Sequence, residues 1–147
     1  MNEKKRFVIV DNHTMVSRGL HTLLAKNPNF EIIGVGADGL EAIRLVEQLK
    51  PDLLVMDLSM PKRDGTMAIK EIKKQAPKTK ILAFTMCNTE DNLLAALQGG
   101  ADGYLLKENS HSDLLTAIDS ILAGKFYLSP EILGMVVKGY LKTKKNM

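Results

Sequence analysis

The sequence predicts an α/β fold, a (βα)5 doubly wound parallel sheet followed by an extra C-terminal helix. Five short apolar runs have the length of strands, stretches with helical spacing separate them, and capping residues mark several boundaries. Strict alternation of strands and helices requires crossover connections, which are right-handed in such folds. The strands should therefore be parallel and buried between two helix layers.

The five predicted strands are rich in Val, Ile, Leu and Phe. They span residues 7–10, 31–35, 53–56, 81–84 and 103–106. Most of these runs are continuously apolar rather than alternating. That pattern is typical of a strand that is covered on both faces.

The stretches between the strands carry apolar residues at steps of three and four, as amphipathic helices do. Asp38 precedes the second helix with Glu41 three residues later, and Ser110 precedes the fifth with Asp113 three residues later, so both pairs fit N-terminal caps. Gly124 is expected to end the fifth helix. These boundaries support five strand–helix units.

Composition limits the class of protein. The chain has 147 residues, 45% of them hydrophobic and 25% charged, which is typical of one globular domain and excludes a coiled coil or general disorder. No apolar run approaches the roughly 18 residues of a membrane span, and the N-terminus does not resemble a signal peptide, so we expect a cytoplasmic protein without membrane contact. The single cysteine, Cys87, excludes an intrachain disulfide. Any metal should be held by oxygen ligands.

The formal charge of +3 comes largely from the C-terminal end. Four lysines lie beyond the last acidic residue, Glu131, and the rest of the chain is nearly neutral. Since the sequence has no basic stripe interleaved with aromatic residues, we do not expect this chain to bind nucleic acid directly.

Polar residues follow four of the five predicted strands. Asp11 and Asn12 follow the first strand, Asp57 the third, Thr85 the fourth and Lys107 the fifth. Ligands of open parallel sheets bind beyond the carboxyl ends of the strands. We therefore expect these side chains to converge on one edge.

The predicted edge has the chemistry of phosphoryl acceptance with a bound metal. Two carboxylates and nearby carbonyl oxygens are suitable ligands for Mg²⁺. An aspartate carboxylate such as Asp57 can attack phosphorus and form a mixed anhydride. Lys107 can neutralise the added charge, and the Thr85 hydroxyl can donate to a phosphoryl oxygen.

Four segments of the sequence resemble the receiver domains of two-component response regulators. They are Val8-Ile9-Val10-Asp11-Asn12-His13, residues 52–61 with Asp64-Gly65 following, residues 81–86, and Gly103-Tyr104-Leu105-Leu106-Lys107. The resemblance covers residues 5 to about 125. It implies a flavodoxin-like strand order, 2-1-3-4-5.

The resemblance also implies roles for individual residues. Asp57 corresponds to the phospho-acceptor, and the Mg²⁺ ligands are expected to be Asp11, Asn12, Asp57 and the backbone carbonyl of Ser59. Asn12 departs from the family, which has an acidic residue there, and it keeps open an alternative: a pseudo-receiver that acts as a phosphorylation-independent interaction module.

The remaining site residues carried over from the family belong to the switch. Thr85 and Tyr104 correspond to the switch pair, and Lys107 to the lysine that contacts the phosphoryl group. Phosphorylation is expected to bring Thr85 to the phosphoryl oxygen while the Tyr104 ring turns inward. With Asp57, Thr85 and Lys107 as its reactive set, the domain is expected to be a signalling module and not an enzyme.

Other features resemble LuxR-type transcription regulators of the NarL/FixJ group. These are Thr85-Met86, Lys107-Glu108 and the segment 122–131. The resemblance implies a sensor histidine kinase as partner, a possible homodimer, and DNA contact only through an effector domain missing from this chain. We expect residues 1–125 to form the receiver domain and 126–147 a linker helix with a basic tail, the chain being either a fragment or a natural receiver without its effector.

The C-terminal segment predicts one more helix. Ser129 suits the N-cap and Pro130 the first helical position. The helix carries a broad apolar stripe, interrupted by two glycines, that consists of Ile132, Leu133, Val136, Val137, Tyr140 and Leu141. The stripe either folds back on its own domain or lies loosely as a linker, or it docks a second copy or the effector domain.

The same sequence positions test three rival functions and the role of one histidine. A flavodoxin needs a Ser/Thr/Gly-rich phosphate loop after the first strand, a haloacid-dehalogenase-type phosphatase needs an aspartate at position 59, and a P-loop nucleotidase needs a Walker motif. The sequence has none of these features. His13, beside the acidic pair, is interpreted as a rim residue and not as a phosphorylated histidine.

Overall fold

The computed structural model describes residues 4–58, 65–86, 89–109 and 111–145. One six-stranded parallel sheet runs through the domain in the order β2-β1-β3-β4-β5-β6. The strands are β1 (Lys5–Val10), β2 (Phe30–Gly36), β3 (Leu53–Met56), β4 (Lys80–Thr85), β5 (Gly103–Leu106) and β6 (Tyr127–Leu128). The predicted α/β class and the order 2-1-3-4-5 are confirmed.

Helices cover both faces of the sheet. They are α1 (Thr14–Ala25), α2 (Gly39–Leu49), α3 (Gly65–Gln75), α4 (Glu90–Gly99), α5 (His111–Leu122) and α6 (Pro130–Lys145). One apolar core lies under α2, α3 and α4, and a second lies under α1 and α5. Within the described ranges, no helix has the length and apolar character needed to cross a membrane.

Capping residues explain where α2 begins and where α5 ends. The Asp38 side chain accepts a hydrogen bond from the Glu41 backbone N–H at 2.9 Å, and the Glu41 carboxylate accepts one from the Ala37 N–H at 2.8 Å. Gly124 has a φ of +87°, a conformation that glycine adopts without strain, and it follows the end of α5. Ser110, the predicted cap of α5, lies outside the described residues.

The short strand β6 was not predicted. It extends the sheet beyond β5 by pairing Tyr127 with Gly103 and Leu128 with Tyr104. Burial, with the carboxylates of Asp113 and Glu131 nearby, raises the pKa of the Tyr127 phenol. The sheet therefore continues past residue 125.

Helix α6 folds back onto α4. Ile132 is fully buried in the core beneath α4, and Ser129 before it is also buried. Gly139 allows the close approach, because a Cβ atom there would lie 3.1 Å from Leu94 Cδ1 and 3.2 Å from Glu90 Oε1. The inner face of α6 is thus packed against its own domain.

Replacing the two α6 glycines by alanine should separate helix propensity from packing. Gly134 has open space around it, so Gly134→Ala should raise the free energy of unfolding by about 1 kcal/mol. Gly139→Ala adds the same propensity but forces Leu94 and Glu90 aside, so it should be less stable than Gly134→Ala by about 1–2 kcal/mol. Urea unfolding measures both. Equal gains would show that the Leu94 and Glu90 side chains yield to the added methyl group without a packing cost.

Candidate functional site

Two aspartates lie at the carboxyl edge of the central strands. The Asp57 backbone N–H donates to the Val10 carbonyl at 3.0 Å, and the Asp11 N–H donates to the Gly36 carbonyl at 3.0 Å. The hydrogen-bond ladders thus continue one residue beyond β3 and β1 and fix both backbones. Asp11 is 4% exposed and Asp57 1% exposed. Buried carboxylates of this kind require compensating partners.

Both carboxylate oxygens of Asp57 have donors. Thr85, at the end of β4, donates its hydroxyl hydrogen to Asp57 Oδ1 at 2.8 Å. Lys107, directly after β5, donates from Nζ to Asp57 Oδ2 at 3.1 Å. The Lys107 N–H also donates to the Thr85 carbonyl at 2.9 Å, so the two strand ends hold each other in register. Three predicted site residues from three strands therefore meet.

Lys107 also binds the second aspartate. Its Nζ atom lies 2.7 Å from Asp11 Oδ2, and its side chain is only 9% exposed. One ammonium group is thus shared between two buried carboxylates. The formal charge of the three groups is −1, which favours an additional cation at this edge.

His13, interpreted from sequence as a rim residue, lies at the rim of the site. Its backbone N–H donates to Asp11 Oδ1 at 2.8 Å, and its ring Nδ1 lies 3.2 Å from the same oxygen and 3.8 Å from Asp57 Oδ2. The side chain is 55% exposed, so it lies at the solvent edge. The sequence signal for this contact is Asp11, because an aspartate side chain readily accepts a hydrogen bond from the backbone N–H two residues later.

The predicted metal ligands are only partly described. Ligand atoms of Asp11, His13 and Asp57 all lie within 4.8 Å of one another, as a shared ion requires. Asn12 is exposed and lines an open cavity beside Asp11 and Glu41. Ser59 lies outside the described residues. The two carboxylates fit a hard cation such as Mg²⁺, which prefers oxygen ligands.

The second member of the predicted switch pair lies in the interior. Tyr104, on β5, is fully buried in the core that also contains Ile132 of α6. Thr85 is also fully buried while it contacts Asp57. This structure of the unmodified chain therefore already has the inward tyrosine that the sequence argument assigned to the phosphorylated form, while Thr85 contacts the Asp57 carboxylate itself.

The fold and the aspartate held by strand-end threonine and lysine residues define a receiver-type domain. Residues 7–119 match the response regulator receiver domain, and since this is most of the chain, the chain belongs to that family.

Three similar proteins illustrate the relationship. The transcriptional regulatory protein DegU of Brevibacillus brevis is 35% identical over 95% of this chain and 60% of its own length. A solved LuxR-family two-component response regulator from Aurantimonas sp. SI85-9A1 has a TM-score of 0.87 and 33% identity, covering 95% of this chain and 99% of the other. RcsB from Salmonella enterica serovar Typhimurium, bound to a promoter in the presence of phosphomimetic BeF3-, has a TM-score of 0.84 and 28% identity over 92% of this chain and 68% of its own.

These similarities confirm the predicted relationship to LuxR-type regulators. This chain spans only 60–66% of the length of the curated relatives that it matches. The family membership applies to the receiver region. It also removes the flavodoxin, phosphatase and P-loop alternatives.

Proposed function

We propose that this chain is a phospho-accepting receiver in which Asp57 takes a phosphoryl group from a sensor histidine kinase. The observation that carries the proposal is the pair of donors on Asp57, the Thr85 hydroxyl at 2.8 Å and the Lys107 ammonium at 3.1 Å. The ammonium can neutralise the charge of an added phosphoryl group, and the hydroxyl can donate to one of its oxygens once it has arrived. Mg²⁺ is proposed to be held by Asp11, Asn12, Asp57 and the backbone carbonyl of Ser59.

The contacts at Asp57 support a simple transfer. One carboxylate oxygen of Asp57 forms a bond to phosphorus while the phosphorus–nitrogen bond of the kinase phosphohistidine breaks, and the electron pair of that bond returns to the imidazole. Lys107 and Thr85 then move from carboxylate oxygens to phosphoryl oxygens, which carry more charge. Bound Mg²⁺ would supply further neutralisation of those oxygens. Asp11 remains as the anchor of Lys107.

The proposed transfer modifies the chain once and releases no product from Asp57 until hydrolysis, so the domain acts as a signalling module and not as an enzyme. Its output is proposed to follow that of the longer relatives, which are transcriptional regulators. DNA would be reached through an effector domain, as in the promoter-bound RcsB protein. The proposed activity is cytoplasmic, because the chain would meet both the kinase and the DNA there.

Intact mass spectrometry tests the proposal directly. After treatment with acetyl phosphate and Mg²⁺, the wild-type chain should gain the mass of one phosphoryl group, and Asp57→Ala should gain none. Asp119→Asn, at an exposed position of α5, serves as a matched control and should be modified like the wild type. A mass gain in Asp57→Ala would exclude Asp57 as the acceptor, and no gain in the wild type would exclude phospho-acceptance.

The position of one residue favours a second candidate, the pseudo-receiver. Tyr104 is already buried, so the unmodified domain has the inward tyrosine expected after phosphorylation. Asn12 in place of an acidic residue weakens the attraction for a metal ion. A domain that is switched without phosphate would signal through its surface alone.

Restoring the acidic residue distinguishes the two candidates. Asn12→Asp adds one negative charge beside the proposed metal site, and after repulsion from Asp11 and Asp57 the net gain in Mg²⁺ binding should be on the order of 1–3 kcal/mol. Titration calorimetry measures the gain, with Asn29→Asp, a distant exposed position, as the control that should change nothing.

Two results are decisive, one from this titration and one from the mass assay applied to Asn12→Asp. Equal Mg²⁺ affinity in wild type and Asn12→Asp would contradict the electrostatic argument. An Asn12→Asp chain that binds Mg²⁺ but still accepts no phosphoryl group would favour the pseudo-receiver.

A further inference from the structure

The imidazole of His13 lies beside the two carboxylates of the acidic edge. Its Nδ1 atom is 3.2 Å from Asp11 Oδ1 and 3.8 Å from Asp57 Oδ2. In the part of the chain that the structure describes, no other three histidine, cysteine, aspartate or glutamate side chains bring their ligand atoms within such a short distance of one another. From sequence, only oxygen ligands are expected for a metal. The structure adds one nitrogen atom to them.

The spacing of these atoms suits ligands of one transition-metal ion. Zinc–ligand bonds in proteins are about 2.0–2.2 Å long, so two ligands of one ion lie roughly 2.8–3.6 Å apart at tetrahedral or octahedral angles. The distance from His13 Nδ1 to Asp11 Oδ1 is within this range, and the distance to Asp57 Oδ2 slightly exceeds it. Because the His13 side chain is 55% exposed, a small rotation of the ring can close the difference.

The backbone of His13 is fixed by two hydrogen bonds. Its N–H donates to Asp11 Oδ1 at 2.8 Å, and its carbonyl accepts from the Ser17 N–H at 3.0 Å in the first turn of α1. Ser17 is itself buried. Only the side-chain torsions of His13 therefore remain to be ordered when an ion binds, which keeps the entropy cost of a third ligand small.

Lys107 does not compete with His13 for the same side of Asp11. Its Nζ atom lies 2.7 Å from Asp11 Oδ2, whereas His13 approaches Asp11 Oδ1. At Asp57 both groups approach Oδ2, Lys107 at 3.1 Å and His13 at 3.8 Å. A carboxylate oxygen has two lone-pair sites, so Asp57 Oδ2 can serve both. An ion beside His13 can thus bind without displacing the ammonium group.

The donor set decides which ion fits. Mg²⁺ prefers oxygen ligands, whereas imidazole nitrogen suits ions between the hard and soft classes, such as Zn²⁺. Asn12 has an amide where the family has a carboxylate, so the negative charge that attracts a hard cation is reduced. A nitrogen ligand at this edge therefore gains importance relative to charge.

We propose that His13 Nδ1 is a metal ligand of this chain and that, together with Asp11 and Asp57, it binds a borderline divalent transition-metal ion such as Zn²⁺. The neutral imidazole then carries its hydrogen on Nε2 and presents the Nδ1 lone pair to the ion. The proposal rests on the proposed use of the two aspartates as metal ligands, but not on phosphoryl transfer.

Titration calorimetry of the full unphosphorylated chain with Zn²⁺ and, separately, with Mg²⁺ tests the role of His13. The His13 side chain makes no capping hydrogen bond to α1, so His13→Ala should keep the fold. This variant should lower the Zn²⁺ affinity by about tenfold or more and change the Mg²⁺ affinity by less than about twofold, because only Zn²⁺ gains from a nitrogen ligand. His21→Ala, at an exposed position of the same helix, is the matched control and should change neither. Asp57→Ala should weaken the binding of both ions.

Nuclear magnetic resonance of the histidine rings identifies the ligand atom directly. Saturating Zn²⁺ should strongly shift the ¹⁵N resonance of His13 Nδ1 and leave the resonances of His21 and His111 in place, since both lie outside the cluster. A His13 that only supports the local turn would show no such shift.

Four results would overturn the proposal. They are a wild-type chain that does not bind Zn²⁺, an equal loss of Zn²⁺ and Mg²⁺ affinity in His13→Ala, a His13 Nδ1 resonance that does not move, and Zn²⁺ binding that is unchanged in Asp57→Ala. No phosphoryl donor is present in these measurements. A chain that accepts no phosphoryl group in the mass assay can therefore still confirm the Zn²⁺ site, and a chain that accepts one can still lack it.

Discussion

Replacing Lys107 by alanine should lower the free energy of unfolding by about 3 kcal/mol, because Asp11 and Asp57 would keep two buried negative charges without their shared ammonium. Mg²⁺ should then stabilise the variant more than it stabilises the wild type, since the cation replaces the missing charge. Phosphoryl acceptance should fall sharply, because the ammonium that neutralises the added phosphoryl group is missing. Chemical unfolding with and without Mg²⁺ measures the first two effects.

A second substitution separates charge from packing in this experiment. Lys107→Ala combined with Asp57→Ala removes one ammonium and one carboxylate together, so the double variant should recover much of the stability lost in Lys107→Ala alone. If the double variant is no more stable than Lys107→Ala, the loss comes from packing of the lysine stem, and the shared-charge interpretation is wrong.

The second large effect is expected at Tyr104. Its ring is fully buried, so Tyr104→Ala should lower stability by about 3–5 kcal/mol through the cavity that it leaves. Thr85→Ala removes a hydrogen bond to a carboxylate and should cost about 1.5–3 kcal/mol. If the two residues act as one switch, the stability loss of the double variant should differ from the sum of the two single losses by more than about 0.5 kcal/mol.

A functional measurement accompanies the double-mutant cycle. Thr85→Ala should leave phosphorylation of Asp57 largely intact, while it removes any change in quaternary state or partner affinity that phosphorylation causes. Independent effects of Thr85 and Tyr104 on stability, together with a normal response of Thr85→Ala to phosphorylation, would show that the pair is not a switch in this chain.

The strands could be predicted from sequence because each is an unbroken apolar run bounded by polar or turn residues. The edge that gathers Asp57, Thr85 and Lys107 could also be predicted, since parallel strands place their carboxyl ends side by side. Strand β6 could not. Two residues give no periodic pattern, and Tyr127 and Leu128 adopt strand geometry because β5 offers free backbone groups beside them.

The orientation of α6 could not be read from its pattern either. The predicted apolar stripe was broad enough to cover two sides of the helix, and hydrophobicity does not distinguish Ile132, which is fully buried, from Leu133, which is half exposed. Gly139 lies on the side that packs against α4. From sequence it only weakens the helix, but in the fold it gives α6 its close contact with α4.

Side-chain positions within the site were the least predictable. The approach of the His13 ring to Asp11 depends on a local turn and a rotamer, and neither has a periodic signature. If Thr85 and Tyr104 form a switch pair, their arrangement depends on the free-energy balance between its two states. Sequence patterns identify the members of such a pair but not the state that prevails.

The pairing of β6 with β5 also covers a strand edge of the kind on which aggregation can begin. Without residues 127–128, β5 would be the outermost strand, with four buried residues and an open row of N–H and C=O groups along its side. An exposed apolar strand edge is a template on which another chain can add a strand. A chain shortened to Gly124 would lose this cover together with Ile132 of α6, so the segment that follows α5 shields the β5 edge of the sheet from strand addition.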